Sequence, residues 1–109
     1  MSQKYCLVLC TCPDEACAVA LARRLVEARA VACVNCLPNI KSIYGWQQHI
    51  ECAEEVLLVM KTEHQLYARV AALIQETHPY ELPEVIAIPI EHGAPDYLQW
   101  ISAWVKNIN

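Results

Sequence analysis

The chain has 109 residues, enough for one domain over 1–109 and too few for a second core. Apolar residues make up 56% and charged residues 18%, which excludes a disordered chain. The formal net charge of −4, with its few basic residues scattered, excludes a surface that tracks phosphates, and no apolar run approaches the ~20 residues of a membrane-spanning helix.

Residues 4–12 form a strand pattern that is apolar on both faces, so this strand is expected at the centre of a sheet. Pro13 stops it and suits the first turn of a helix over 14–28, with Asp14 and Glu15 favourable at that end. Ala18, Leu21, Ala22 and Leu25 form its buried stripe, and Arg23 and Glu27 an i,i+4 pair on the wet side. Two extended arms, 32–46 and 50–61, then flank the turn Gln47-Gln48-His49 and make a long hairpin. Pro38 cannot donate to a ladder, so it marks an edge or a bulge in the first arm.

The second helix is expected to open with a capping box, Thr62 to Gln65, and to bury Leu66, Val70, Leu73 and Ile74. It must end at His78, before Pro79. Residues 84–91 predict the last strand, and a closing helix from Pro95 carries Tyr97, Ile101, Trp104 and Ile108 on one face. The order β-α-β-β-α-β is the split-βαβ, ferredoxin-like pattern of an α+β fold, with a C-terminal helix added. An apolar share above the usual ~45–50%, in a domain that buries only ~60–70% of its surface, predicts a subunit interface. The long hairpin edge is its natural site.

Seven cysteines follow an N-terminus, Met1-Ser2-Gln3-Lys4, that has no signal-peptide anatomy, so a cytosolic chain with reduced thiols is expected. Cys6 and Cys12 are read as small buried hydrophobes. On a regular strand Cys10 and Cys12 stand about 6.6–6.8 Å apart at Cα. One metal holds its two sulfurs no more than about 4.6 Å apart, so chelation by this pair needs the strand to bend. Cys33-Val34-Asn35-Cys36 has dithiol spacing, but it leads into a strand, where i and i+3 point to opposite faces. Glu51, Glu54 and Glu55 are assigned to a solvated or interfacial hairpin face. His49, His64 and His92 have no partners at ligand spacing, and no phosphate loop or nucleophile elbow is present.

Several pieces, in order, resemble the CutA divalent-cation tolerance proteins. They are Leu9-Cys10-Thr11-Cys12-Pro13-Asp14, Ala32-Cys33-Val34-Asn35, Ser42-Ile43-Tyr44-Gly45-Trp46, Glu55-Val56 through Lys61-Thr62, His78-Pro79-Tyr80-Glu81-Leu82-Pro83-Glu84 and Asp96-Tyr97-Leu98-Gln99-Trp100. The resemblance implies a ferredoxin-like subunit assembled as a homotrimer through its hairpin strands, located in the cytoplasm. It implies tolerance of copper and other divalent cations through copper binding, and no enzymatic activity.

It also implies Cys10 and His78 as metal ligands, with Thr77 where copper-binding relatives have a first histidine. At the end of a helix, His78 favours a cation on physical grounds as well. Cys33 is a secondary metal position, and Trp46, Tyr80, Glu81 and Glu84 are expected around a cleft at a subunit boundary. Two other functions compete: a trimeric signalling or scaffold module that binds a small molecule in such clefts, and a thiol enzyme built on Cys33 and Cys36.

Overall fold

A computed structural model of the chain describes residues 4–106. The elements run β1 (Tyr5–Cys12), α1 (Glu15–Glu27), β2 (Cys33–Trp46), β3 (His49–Glu63), α2 (Tyr67–Thr77), β4 (Ile86–Pro89) and α3 (Pro95–Val105). The four strands form one sheet in the order β2-β3-β1-β4, antiparallel at every pairing. β1 is central, as its two apolar faces require. The fold is α+β, one antiparallel sheet with three helices.

Alternation along β1 and β3 decides what each face of the sheet meets. Cys6, Val8, Cys10, Val56, Leu58 and Met60 turn to one face and form the core with Ala18, Leu21 and Leu25 of α1 and Val70 and Ile74 of α2. Each of these is buried. The other face is only partly covered. α3 packs across its end, where Ile101 and Val105 gather with Ala32, Tyr5 and Trp104. Tyr5 and Ser102 share a hydrogen bond between hydroxyls at 2.6 Å, and Ser102 also donates to the buried Glu63 carboxylate. Beyond α3 the apolar side chains Ile86 and Ile88 of β4 stay exposed, as do Ile43 and Ile50 of the hairpin.

The hairpin turns on Gln47 and Gln48, which hold φ of 50° and 70°. Trp46 pairs with His49, so the turn has two residues and His49 already belongs to β3. The expected Pro38 irregularity is a register shift between Leu37 and Ile40, with Asn39 at φ 63°. α1 begins one residue later than expected. Asp14 is its cap, accepting from Cys17 N–H at 2.8 Å, and Pro13 stands outside the helix. Arg23 and Glu27 do pair, at 3.7 Å.

The expected capping box is absent. Pairing with β1 carries β3 through Glu63, and the Thr62 hydroxyl is buried, donating to Ala30 C=O at 2.7 Å. A single 3₁₀ turn, His64–Leu66, then leads into α2. The closing strand is four residues rather than eight, because only Ile86–Pro89 meet Cys6–Leu9. Ile108 lies outside the described residues.

Candidate metal centre

The candidate ligand residues gather where β1 ends and α2 stops. Along β1 burial alternates as far as Leu9, but Cys10, Thr11 and Cys12 are all buried in succession. α2 ends at Thr77, and its cap residue His78 turns extended, at φ −72° and ψ 137°, while its N–H still bonds Ile74 C=O at 2.8 Å. The imidazole thereby swings back over the end of β1. Cys10 Sγ, Cys12 Sγ and a ring nitrogen of His78 all lie within 4.8 Å of one another.

The protonation of His78 follows from its neighbours. Tyr80 N–H donates to Nδ1 at 3.1 Å, and Nε2 stands 2.8 Å from Thr11 C=O. A carbonyl only accepts, so Nε2 carries the proton and donates it. Nε2 is also 3.8 Å from Cys12 Sγ. The Cys12 thiol is pushed well above its ordinary range by its hydrogen bond to Cys10 and by burial. A further thiol borders the group: Cys17, on the first turn of α1, meets Cys12 and is raised to about 11, chiefly by burial. The hydroxyl of Thr77 faces back along its own helix, 3.4 Å from Leu73 C=O, and so offers nothing to the site.

The donor set suits a soft metal ion. Bonds of about 2.0–2.3 Å let one ion bridge ligand atoms up to about 4.6 Å apart, close to the spacing here. Thiolate and imidazole favour copper and zinc over calcium or magnesium, which take oxygen.

Cys10 and His78 are thus brought together, whereas Cys33 is not. Cys33 sits half-buried beside Lys61 Nζ, at 3.9 Å, while Cys36 packs into the core on the opposite face. The Cys33 and Cys36 thiols cannot meet without unpairing β2. Trp46, Tyr80, Glu81 and Glu84 line one open cavity of about 620 Å³, which Thr11 links to the Cys10, Cys12 and His78 group.

Two residues escaped the sequence reading. Cys12, assigned to the core as a small hydrophobe, is buried but stands among ligand atoms. Glu55, assigned to a solvated or interfacial face, is 7% exposed and accepts from the Tyr80 hydroxyl at 2.5 Å. The spacing of Cys10 and Cys12 was the only local signal for the first; the second had none.

Residues 6–104 match the family described as CutA1 divalent ion tolerance protein. The chain belongs to this family. It is 43% identical over 99 residues to Protein CutA of Mus musculus, covering 91% of this chain and 56% of that protein. The chain spans about half the length of such mammalian relatives. It is 40% identical over 95 residues to the divalent-cation tolerance protein CutA of Thermus thermophilus, covering 87% of this chain and 92% of that one. Among solved structures, CutA of Xylella fastidiosa superposes with a TM-score of 0.91 at 38% identity, covering 94% of this chain and 98% of that one.

Proposed function

We propose that the protein is a cytoplasmic homotrimer of ferredoxin-like subunits that binds copper or a related divalent cation through Cys10 and His78, and that it serves the response to metal ions as a binding protein rather than an enzyme. One observation carries the reading: two sulfurs and an imidazole converge within 4.8 Å in a chain of a divalent ion tolerance family. The ferredoxin-like description is supported by the strand order β2-β3-β1-β4 with the two crossover helices on one face. The trimer is supported by bare apolar side chains on the hairpin and β4, with Ile50 83% and Ile43 72% exposed. A cytoplasmic location is supported by seven free cysteines, which a reducing compartment maintains.

Copper titration of the full chain under reducing conditions tests the metal reading. One ion per subunit is expected, lost on replacing Cys10 by Ser; equal affinity for both proteins rejects it. Light scattering coupled to gel filtration tests assembly, with a mass of three subunits expected and that of a single 12.3 kDa chain rejecting it.

A second reading rests on the cavity bordered by Trp46, Tyr80, Glu81 and Glu84. Its aromatic walls and acidic rim suit a small cationic molecule bound where subunits meet. Protection of Trp46 fluorescence from a quencher by such a ligand, in the absence of metal, separates this reading from the first.

A further inference from the structure

We propose that Cys12 is the second sulfur ligand of the metal centre and that the site is built for Cu(I) rather than a divalent ion. The proposal rests on the metal-binding reading of Cys10 and His78 and deepens it.

The strand does not have to bend to bring the two thiols together. β1 stays in unbroken register through Cys12, which pairs with Val56, and both cysteine side chains enter the same core cluster. Their sulfurs converge to within 4.8 Å, near the roughly 4.6 Å that two sulfurs span across one ion with bonds of about 2.3 Å. Cys12 thereby provides the third donor that Thr77, bonded to its own helix, does not.

The neighbours reject a hard divalent ion. Both nearby carboxylates are committed elsewhere, Asp14 to the Cys17 amide and Glu55 to the Tyr80 hydroxyl. No Asp or Glu joins the ligand group among the described residues. Thiolates select Cu(I) or zinc, and a three-donor set favours Cu(I), because zinc takes a fourth ligand and no Asp, Glu, His or further Cys among the described residues joins here. On binding, two S–H bonds give way to two S–Cu bonds, two protons leave for solvent, and no electron is transferred. The complex keeps one net negative charge. It lies two residues before the cap of α1, where the helix end carries partial positive charge.

The three ligands are unequal. Before Nε2 can ligate, the His78 proton must move from Nε2 to Nδ1, giving up both the bond to Thr11 C=O and the one that Nδ1 accepts from Tyr80 N–H. The thiols give up weaker partners, since Cys10 Sγ reaches its own carbonyl neighbour, Thr11 C=O, only at 3.8 Å. The sulfur pair therefore carries most of the affinity, and the imidazole closes the site.

The test is an anaerobic Cu(I) titration of the full chain against a chromophoric Cu(I) chelator, with X-ray absorption on the loaded wild type. Cys10→Ser and Cys12→Ser should each weaken binding by at least about a hundredfold, the upper end of what losing even an outer-shell partner costs, and His78→Gln by about tenfold. Cys33→Ser, on the other face, should bind as wild type does. The absorption spectrum should show two sulfurs and one nitrogen per copper, a readout that needs no variant to fold. A tenfold excess of Zn(II) should leave the copper in place. Cys12→Ser matching wild type, one sulfur per copper, or displacement by zinc would each overturn the proposal. In the first two of these cases the Cys10–His78 reading stands if both of those variants lose copper. Failure of the wild type to take up any copper would overturn both.

Discussion

The two faces of the sheet are made from neighbouring residues of the same strands, yet they meet different surroundings. Cys6, Val8 and Cys10 of β1 and Leu58 and Met60 of β3 lie under α1 and α2 with essentially no exposure. On the other side α3 closes only one end, and Ile86 and Ile88 remain 50% and 44% exposed. The hairpin beyond carries Ile43 and Ile50 barer still. One face is finished by its own chain, and the other is left partly bare. The Cys10, Cys12 and His78 group lies on the finished side, at the end of β1.

Matched substitutions on the two faces give the largest expected difference. Leu58→Ala should cost about 2–5 kcal/mol of subunit stability, because a fully buried leucine leaves a cavity. Ile88→Asp should change subunit stability by only about 0.5 kcal/mol, as at an ordinary surface position, and instead lower the assembled mass. Urea unfolding and light scattering on both variants separate the effects. If Ile88→Asp unfolds the subunit as Leu58→Ala does, the contrast between the faces is wrong.

Alkali should strike the helix-covered side next. Cys6, Cys12, Cys17 and Cys36 all have thiols raised above the usual value: Cys6, Cys17 and Cys36 first by burial, and Cys12 first by its bond to Cys10. All four belong to, or pack against, the core under α1 and α2. A thiol held protonated in the folded state stabilises it fully below the unfolded value, about 8.5. That contribution is lost as pH rises through the folded value, about 11 for Cys17. Urea midpoints should therefore fall steadily from pH 9 to 11, with a slope reporting more than one proton per chain. A flat profile over that window would show that these thiols ionise as freely in the folded protein as in the unfolded one.

How much of this was legible in the sequence depended on the range of the interactions. The central position of β1, the α1 stripe, the Pro38 bulge and the stop before Pro79 all follow from local chemistry, and the fold carries each. Thr62 misled because its neighbours Gln65 and Glu63 suit a helix start, while Tyr5, far along the chain, pairs with Glu63 and keeps the segment extended. Cys12 was opaque for the same reason. Its place among candidate ligand atoms depends on His78, 66 positions away, and on an approach to Cys10 that no periodicity reports. Glu55 likewise read as one of a row of acids on a solvated or interfacial face until Tyr80 came within reach.

The smallest effect is expected where the two faces are tied together. Arg29, just past α1, holds φ at 61°, a left-handed conformation that costs a non-glycine residue about 1–2 kcal/mol. It is held there by Trp104 of α3. The guanidinium stacks 3.5 Å from the indole centroid, Nη1 donates to Trp104 C=O at 3.3 Å, and the indole N–H donates to Val26 C=O at 3.0 Å. A partly shielded cation–π contact contributes about 0.5–2 kcal/mol, much the same size as the backbone strain it opposes. Arg29→Gly should therefore leave stability within about 0.5 kcal/mol of wild type, relief of strain offsetting the lost stack. Arg29→Lys keeps both the strain and the charge but gives up the planar stack, so it should lose about 0.5–1 kcal/mol. Urea unfolding of the two variants orders them, glycine above lysine. The reverse order would mean that charge near the end of α1, rather than stacking on α3, is what holds this corner of the molecule.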